Sequence, residues 1–179
     1  MERCCDAEPC EDDARASRGN AASCPGCGAV GRPVANATLE AILPREAALG
    51  LLVIERRFCG SRDCDILYYG ADGRSVHKRQ ALVRVGAKEA EDPIPVCYCF
   101  GFTRDQIRAE ILATGGSSIL QRVKEAIRAG ECRCERANPS GGCCLGELSA
   151  VAKGARALLG AETGGACSGD AGRKSCRGR

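Results

Sequence analysis

The chain has 179 residues, 44% of them hydrophobic, and 26 basic against 23 acidic side chains give a formal net charge of +3. That balance is too weak to mark a nucleic-acid-binding surface, and the length allows one ordinary domain or two small ones. With no tryptophan, three phenylalanines and three tyrosines, but fifteen cysteines and a single histidine, the chain is short of large apolar groups and calls for metal or disulfide staples.

The N-terminal stretch "MERCCDAEPCEDDAR" has acids where a secretory signal would carry basic and then apolar residues. The longest apolar run, "AALGLLVI", is too short to span a bilayer. The expectation is a cytoplasmic protein without membrane insertion, whose clustered cysteines bind metal rather than pair as disulfides. Residues 1–21 are rich in Ala, Asp and Glu without apolar period and read as a disordered tail holding Cys4, Cys5 and Cys10.

Residues 22–90 read as a small β module. "GLLVIERRF", "DILYYG" and "ALVRV" are strand-like runs separated by Gly, Asp and Ser turn signals, and "NATLEAIL" suits a short helix capped near Asn36 or Thr38. His77 is expected on a strand surface rather than as a ligand. "EAEDPIPV", residues 89–96, is acidic with two prolines and reads as a linker.

Residues 91–160 read as helical. "TRDQIRAEILATGG" opens with Thr103 and Gln106 at capping-box spacing and stops at Gly115. "SSILQRVKEAIRAG" repeats the device with Ser118 and Gln121, places Ile119, Leu120, Val123 and Ile127 on one face, and stops at Gly130. "LGELSAVAKGARALLG" offers a third amphipathic face through Leu145, Leu148, Val151 and Leu158. Residues 161–179 are Gly-rich with a basic end and read as a second flexible tail, holding Cys167 and Cys176. The predicted class is therefore α+β: a small stapled β module, a small helical module and two tails.

Two cysteine groups carry the chemistry. "SCPGCG" sets Cys24 and Cys27 in a C-x-x-C turn that Gly26 and Gly28 allow to curl, and "FCGSRDCD" sets Cys59 and Cys64 around a second turn. Four thiolates from two such turns make a closed tetrahedral site, the usual arrangement of structural zinc, with no position open for catalysis. A thioredoxin-like redox pair would need a helix straight after the motif, and "GAVGRPV" is a poor helix start. The second group is Cys97 and Cys99 flanking Tyr98, followed after two helices by Cys132, Cys134, Cys143 and Cys144. Four of these can hold a two-iron, two-sulfide cluster or a second zinc, and spacing alone leaves both open. A Rieske centre is excluded, because it needs two histidines.

"PVCYCFGFTRDQI" with its return "CERANPSGGCC" resembles the [2Fe-2S] domain of bacterioferritin-associated ferredoxin. It resembles more closely that domain within the N-terminal half of the CopZ-type copper chaperones, whose preceding zinc module is matched by "SCPGCG" and "FCGSRDCDILYY". The resemblance covers roughly residues 23–150. It implies a [2Fe-2S] cluster on Cys97, Cys99, Cys134 and Cys144, with Cys132 and Cys143 as extra candidates, beside Zn²⁺ on Cys24, Cys27, Cys59 and Cys64. It also implies that Asn138, Pro139 and Gly141 shape the turn before the vicinal pair, whose backbone N–H groups can reach cluster sulfurs. The family's copper-transferring domain carries M-x-C-x-x-C. Met1 is the only methionine here and the only C-x-x-C lies at 24–27, so that domain is not expected.

The expected function is single-electron transfer or reduction of Cu(II) to Cu(I) in copper homeostasis, with at most an electron-transfer or metal-reducing activity. Partners would be copper or another thiophilic ion and an unknown redox protein, with no nucleic acid. Two other readings are a non-redox zinc module that senses or stores metal, and a ferredoxin partner of an iron-storage protein. The tail cysteines are soft ligands for Cu(I)-like ions or incidental residues of flexible chain.

Overall fold

The computed structural model describes residues 23–163, so the first predicted tail, the second from residue 164 on and the tail cysteines lie outside the described residues, while residues 161–163, expected in the second tail, continue α6. The fold mixes helices with a small antiparallel sheet. In chain order it runs β1 (Arg32–Pro33), α1 (Asn36–Ile42), α2 (Arg45–Leu52), β2 (Arg56–Phe58), β3 (Ile66–Gly70), β4 (Ser75–His77), β5 (Pro95–Cys97), β6 (Phe102–Thr103), α3 (Arg104–Thr114), α4 (Ser118–Arg128), α5 (Cys134–Ala137) and α6 (Leu145–Thr163). Among the described residues no helix is long and apolar enough to cross a membrane.

Strands β1 to β4 form one sheet in sequence order, every neighbouring pair antiparallel. Strand β3 is buried along its whole length. A register shift between Ile66 and Tyr68 breaks the alternation of side chains, as a bulge does. Leu67 and Tyr68 therefore join the core under α1 and α2, with Leu39, Ile42, Leu51, Phe58 and Val76. Ile66 and Tyr69 face the other way, toward Cys24, Cys59 and Cys64.

The expected strand at 50–58 starts inside helix α2, which takes its first three residues. Leu and Ala are strong helix formers, Pro44 sits at the N-cap, and Ala48 and Leu51 are buried one turn apart. Only Arg56–Phe58 of the expected long strand is extended. "ALVRV" forms no strand either. Ala81, Val83 and Val85 alternate into the core as strand residues would, but the Leu82 N–H bonds the Ile42 carbonyl at the end of α1 (2.8 Å) rather than a neighbouring strand. His77 lies half-buried in β4 as expected.

The helical half follows its caps. Gln106 Oε1 accepts the Thr103 N–H at 3.0 Å, and Gly115 closes α3 at φ 74° with its N–H on the Ile111 carbonyl. The α4 cap is Ser117, one residue earlier than expected, accepting the Leu120 N–H at 3.2 Å. The Ser118 and Ser117 hydroxyls and the Ile119 N–H all donate to the Glu110 carboxylate, which holds its pKa down at about 2. Helix α6 buries Leu148, Ala152 and Ala155 against α3 and α4, while Leu158 is 56% exposed. The buried stripe thus runs through alanines, which a search for large apolar residues passes over.

The expected linker is stapled into the fold. Arg84 donates to the Pro93 and Glu91 carbonyls and pairs with Glu89 (2.8 Å). Asp92 pairs with Arg104 (3.0 Å), and Ile94 and Val96 are buried on the way into β5.

Candidate metal centres

The first centre is built on the edge of the sheet. The Ser23–Val30 bridge folds the 24–29 turn back on itself. The Cys24 N–H bonds the Ala29 carbonyl and the Gly28 N–H the Cys24 carbonyl, both at 2.8 Å, with Gly28 at φ 73°. Opposite, the Cys59 N–H bonds the Leu67 carbonyl (2.9 Å) across the β2–β3 turn. Gly31 admits no side chain: its N–H donates to the Tyr69 hydroxyl at 2.7 Å, and a Cβ there would collide with that oxygen.

These turns bring the four predicted sulfurs, Cys24, Cys27, Cys59 and Cys64, within 4.8 Å of one another. Cys24 and Cys64 are 3.8 Å apart, and Cys27 and Cys59 3.6 Å. A tetrahedral zinc with bonds of about 2.3 Å sets sulfur–sulfur edges of about 3.8 Å, so the donor set fits the ion. Burial pushes the Cys24 thiol up to about 12. At the exposed corner the Ser61 hydroxyl, 3.4 Å from Cys27 Sγ, lowers that thiol to about 6.

Sequence reasoning missed Lys88. It is 5% exposed, and its ammonium donates to the carbonyls of Ser61 (2.7 Å), Cys64 (3.0 Å) and Ile66 (2.9 Å). All three donors of the group are thereby satisfied. These bonds fix the turn that carries Cys64, and the positive charge would offset part of the negative charge that four thiolates bring to a divalent ion. A lysine in an acidic stretch carries no local signal of this role.

The second centre is set into the helical core. Cys97 ends β5, Cys99 follows in the turn to β6, Cys134 opens α5, and Cys144 immediately precedes α6. Cys97, Cys134 and Cys144 are buried with Ile107, Val123 and Leu148. The sulfurs form a path of contacts: Cys97 with Cys144, Cys144 with Cys134 at 3.9 Å, and Cys134 with Cys99 at 3.6 Å. Cys132 joins at the outer end, since Cys99, Cys132 and Cys134 all lie within 4.8 Å of one another. Cys143 is exposed and belongs to neither group. The Cys144 contact lowers the Cys97 thiol to about 6 and raises that of Cys144. The Arg133 N–H donates to Cys99 Sγ at 3.3 Å.

The turn before the vicinal pair is shaped as expected. Asn138 Oδ1 accepts the Ser140 N–H (3.0 Å), its Nδ2 donates to the Gly142 carbonyl (2.8 Å), and Gly141 sits at φ 64°.

Both ligand turns of the second centre lean on the first half of the chain. The Tyr98 hydroxyl accepts the N–H of Gly86, two residues before Lys88 (2.7 Å), and donates to the Arg84 carbonyl (3.3 Å). The Tyr68 hydroxyl donates to the Pro139 carbonyl (2.7 Å), and Thr38 Oγ1 to the Glu135 carbonyl. An aromatic residue between two cysteines was the one visible hint of this anchoring.

Comparison with known proteins bears on both centres. Residues 21–82 match the zf_CopZ family, described as a zinc binding domain. The copper chaperone CopZ of Archaeoglobus fulgidus is 31% identical over 122 residues, covering 68% of this chain and 57% of that protein. The chain thus spans little more than half the length of that relative. The X-ray structure of the Archaeoglobus fulgidus CopZ N-terminal domain superposes with a TM-score of 0.59 at 28% identity, over 72% of this chain and 96% of that one. Residues 21–82 are therefore similar to a zinc-binding domain of the CopZ type, and the four-cysteine site, whose geometry suits Zn²⁺, lies within that stretch.

Proposed function

We propose that this chain is a CopZ-like protein of copper or thiophilic-metal homeostasis that couples a structural zinc to a one-electron centre. Residues 22–90 form the zinc module on Cys24, Cys27, Cys59 and Cys64. Residues 91–160 form a module like bacterioferritin-associated ferredoxin, with Cys97, Cys99, Cys134 and Cys144 as ligands of a [2Fe-2S] cluster. The observation that carries the reading is the continuous path of these four sulfurs through a largely apolar core.

The donor set suits such a cluster, which takes four thiolates. When bound it supplies a single-electron carrier, the count that reduction of Cu(II) to Cu(I) requires. The chain's own residues do the rest. Val96, Ile107, Val123 and Leu148 exclude water from the inner pair, Cys97 and Cys144. The Arg133 N–H donates to the outer sulfur of Cys99, and such hydrogen bonds raise a cluster's potential. Cys99 is half-buried, and the adjoining Phe100 lines a cleft of about 320 Å³ with Phe102 and Arg122, which leaves this edge open to an electron donor or a metal ion.

Anaerobic purification followed by an absorption spectrum and metal analysis on one sample tests the reading. A red-brown protein with about two iron, two sulfide and one zinc per chain is expected. A colourless protein with about two zinc would overturn it and leave a non-redox metal-binding module.

A further inference from the structure

We infer that Cys132 is a fifth, exchangeable ligand of the second centre, able to take the place of Cys99. The inference rests on the iron–sulfur reading above. A two-iron cluster takes four thiolates, and the sulfur path offers five. Cys132 is the one left over, yet its sulfur lies within 4.8 Å of those of both Cys99 and Cys134.

The five positions are not equivalent. Cys97 and Cys144 are 0% and 1% exposed, held by the core on every side. Cys134 touches Cys99 on one side and Cys144 on the other, so it links the outer sulfurs to the inner ones and has no substitute. Cys99 meets the path only through Cys134, and Cys132 meets the same requirement. Both outer cysteines are half-buried, which gives their side chains room to trade places.

The backbone favours the exchange. Cys132 sits in the stretch between α4 and α5, where residues 131–133 belong to neither helix nor strand. That stretch already reaches Cys99 through the Arg133 N–H. In the exchange Cys132 gives its proton to solvent and binds as a thiolate, while Cys99 leaves and takes up a proton. No electron changes hands.

Four full-length variants, purified anaerobically, test this: C97S, C99S, C132S and C99S/C132S. Zinc content at the wild-type level checks that each is folded. C99S is expected to keep wild-type iron and sulfide with a shifted absorption and EPR spectrum, while C97S and C99S/C132S lose both. Alkylation followed by mass spectrometry should modify Cys132 in the loaded wild type and spare it in C99S. C132S, which retains every ligand of the ordinary set, should lose iron to a chelator several-fold faster, because a released Cys99 then has no stand-in. Loss of iron from C99S as complete as from the double variant, or an unchanged rate in C132S, would overturn the inference. A colourless wild type would instead overturn the iron–sulfur reading on which it stands.

Discussion

The two centres hold four or five cysteines each, but they relate to their surroundings in opposite ways. Around the first, the buried cluster is small and largely made of the ligands themselves: Cys24, Cys59 and Cys64 with Ile66 and Tyr69. Around the second, Cys97, Cys134 and Cys144 are members of a wide apolar core drawn from α3, α4 and α6. The first centre lies beside the core under α1 and α2 rather than in it, whereas the cysteines of the second are themselves part of the core that the helices supply. On the proposed reading, similar thiolate chemistry serves stability in one place and electron transfer in the other.

The sharpest way to break this contrast is to empty each centre in turn. Cys59→Ser should abolish zinc binding and remove about 10 kcal/mol of folding free energy, the scale of a structural zinc site. Zinc analysis and the loss of a cooperative thermal transition would report it. Cys144→Ser should empty the second centre while leaving the helical circular dichroism near wild type. Equal losses of structure in the two variants would refute the distinction.

A smaller effect is expected at Lys88. Lys88→Met removes three charge-assisted hydrogen bonds, to the Ser61, Cys64 and Ile66 carbonyls, of which Ser61 keeps only the long Cys64 N–H contact (3.4 Å), a cost of about 3–5 kcal/mol. Urea unfolding of the zinc-loaded protein measures it, and a weakened zinc affinity should accompany it. Unchanged stability would mean that the turn is held by the ion alone.

The least change is expected at Tyr68, whose hydroxyl ties β3 to the turn that carries Cys144. Tyr68→Phe removes one buried hydrogen bond to the Pro139 carbonyl and should cost about 1–2 kcal/mol. It should leave zinc content intact and speed metal loss from the second centre, read by absorption during chelator challenge. A variant that lost zinc first would place the hydroxyl's influence on the wrong centre.

What the sequence made legible was local. The C-x-x-C turn with its glycines, the Thr103–Gln106 cap and the Gly115 stop are each written within a few residues, and each forms. The end of the helix at 50–52 and the non-strand at 81–85 depart from the expected strands because tertiary partners decide them: burial of Ala48 and Leu51 in one case, the Ile42 carbonyl in the other. The proximity of the two cysteine groups' elements in sequence was visible, but not the hydrogen bonds from Tyr68, Thr38 and Tyr98, which join residues up to 97 positions apart. Cys132 stood out only as an ambiguity in "ECRC" until its sulfur was placed beside Cys99.

The bonds from Tyr68 and Thr38 to the 135–139 backbone also bear on how such a chain can be rearranged. The loop between Cys134 and Cys144 supplies the acceptors of both hydroxyls, so a break after residue 90 would strip two hydroxyls in the zinc-bearing half of their acceptors and take from the other half the groups that anchor its ligand loop. Recombination across that point trades one well-fitted joint for two unfinished faces. The pair of centres is in this sense a single heritable part, to be moved, fused or lost together.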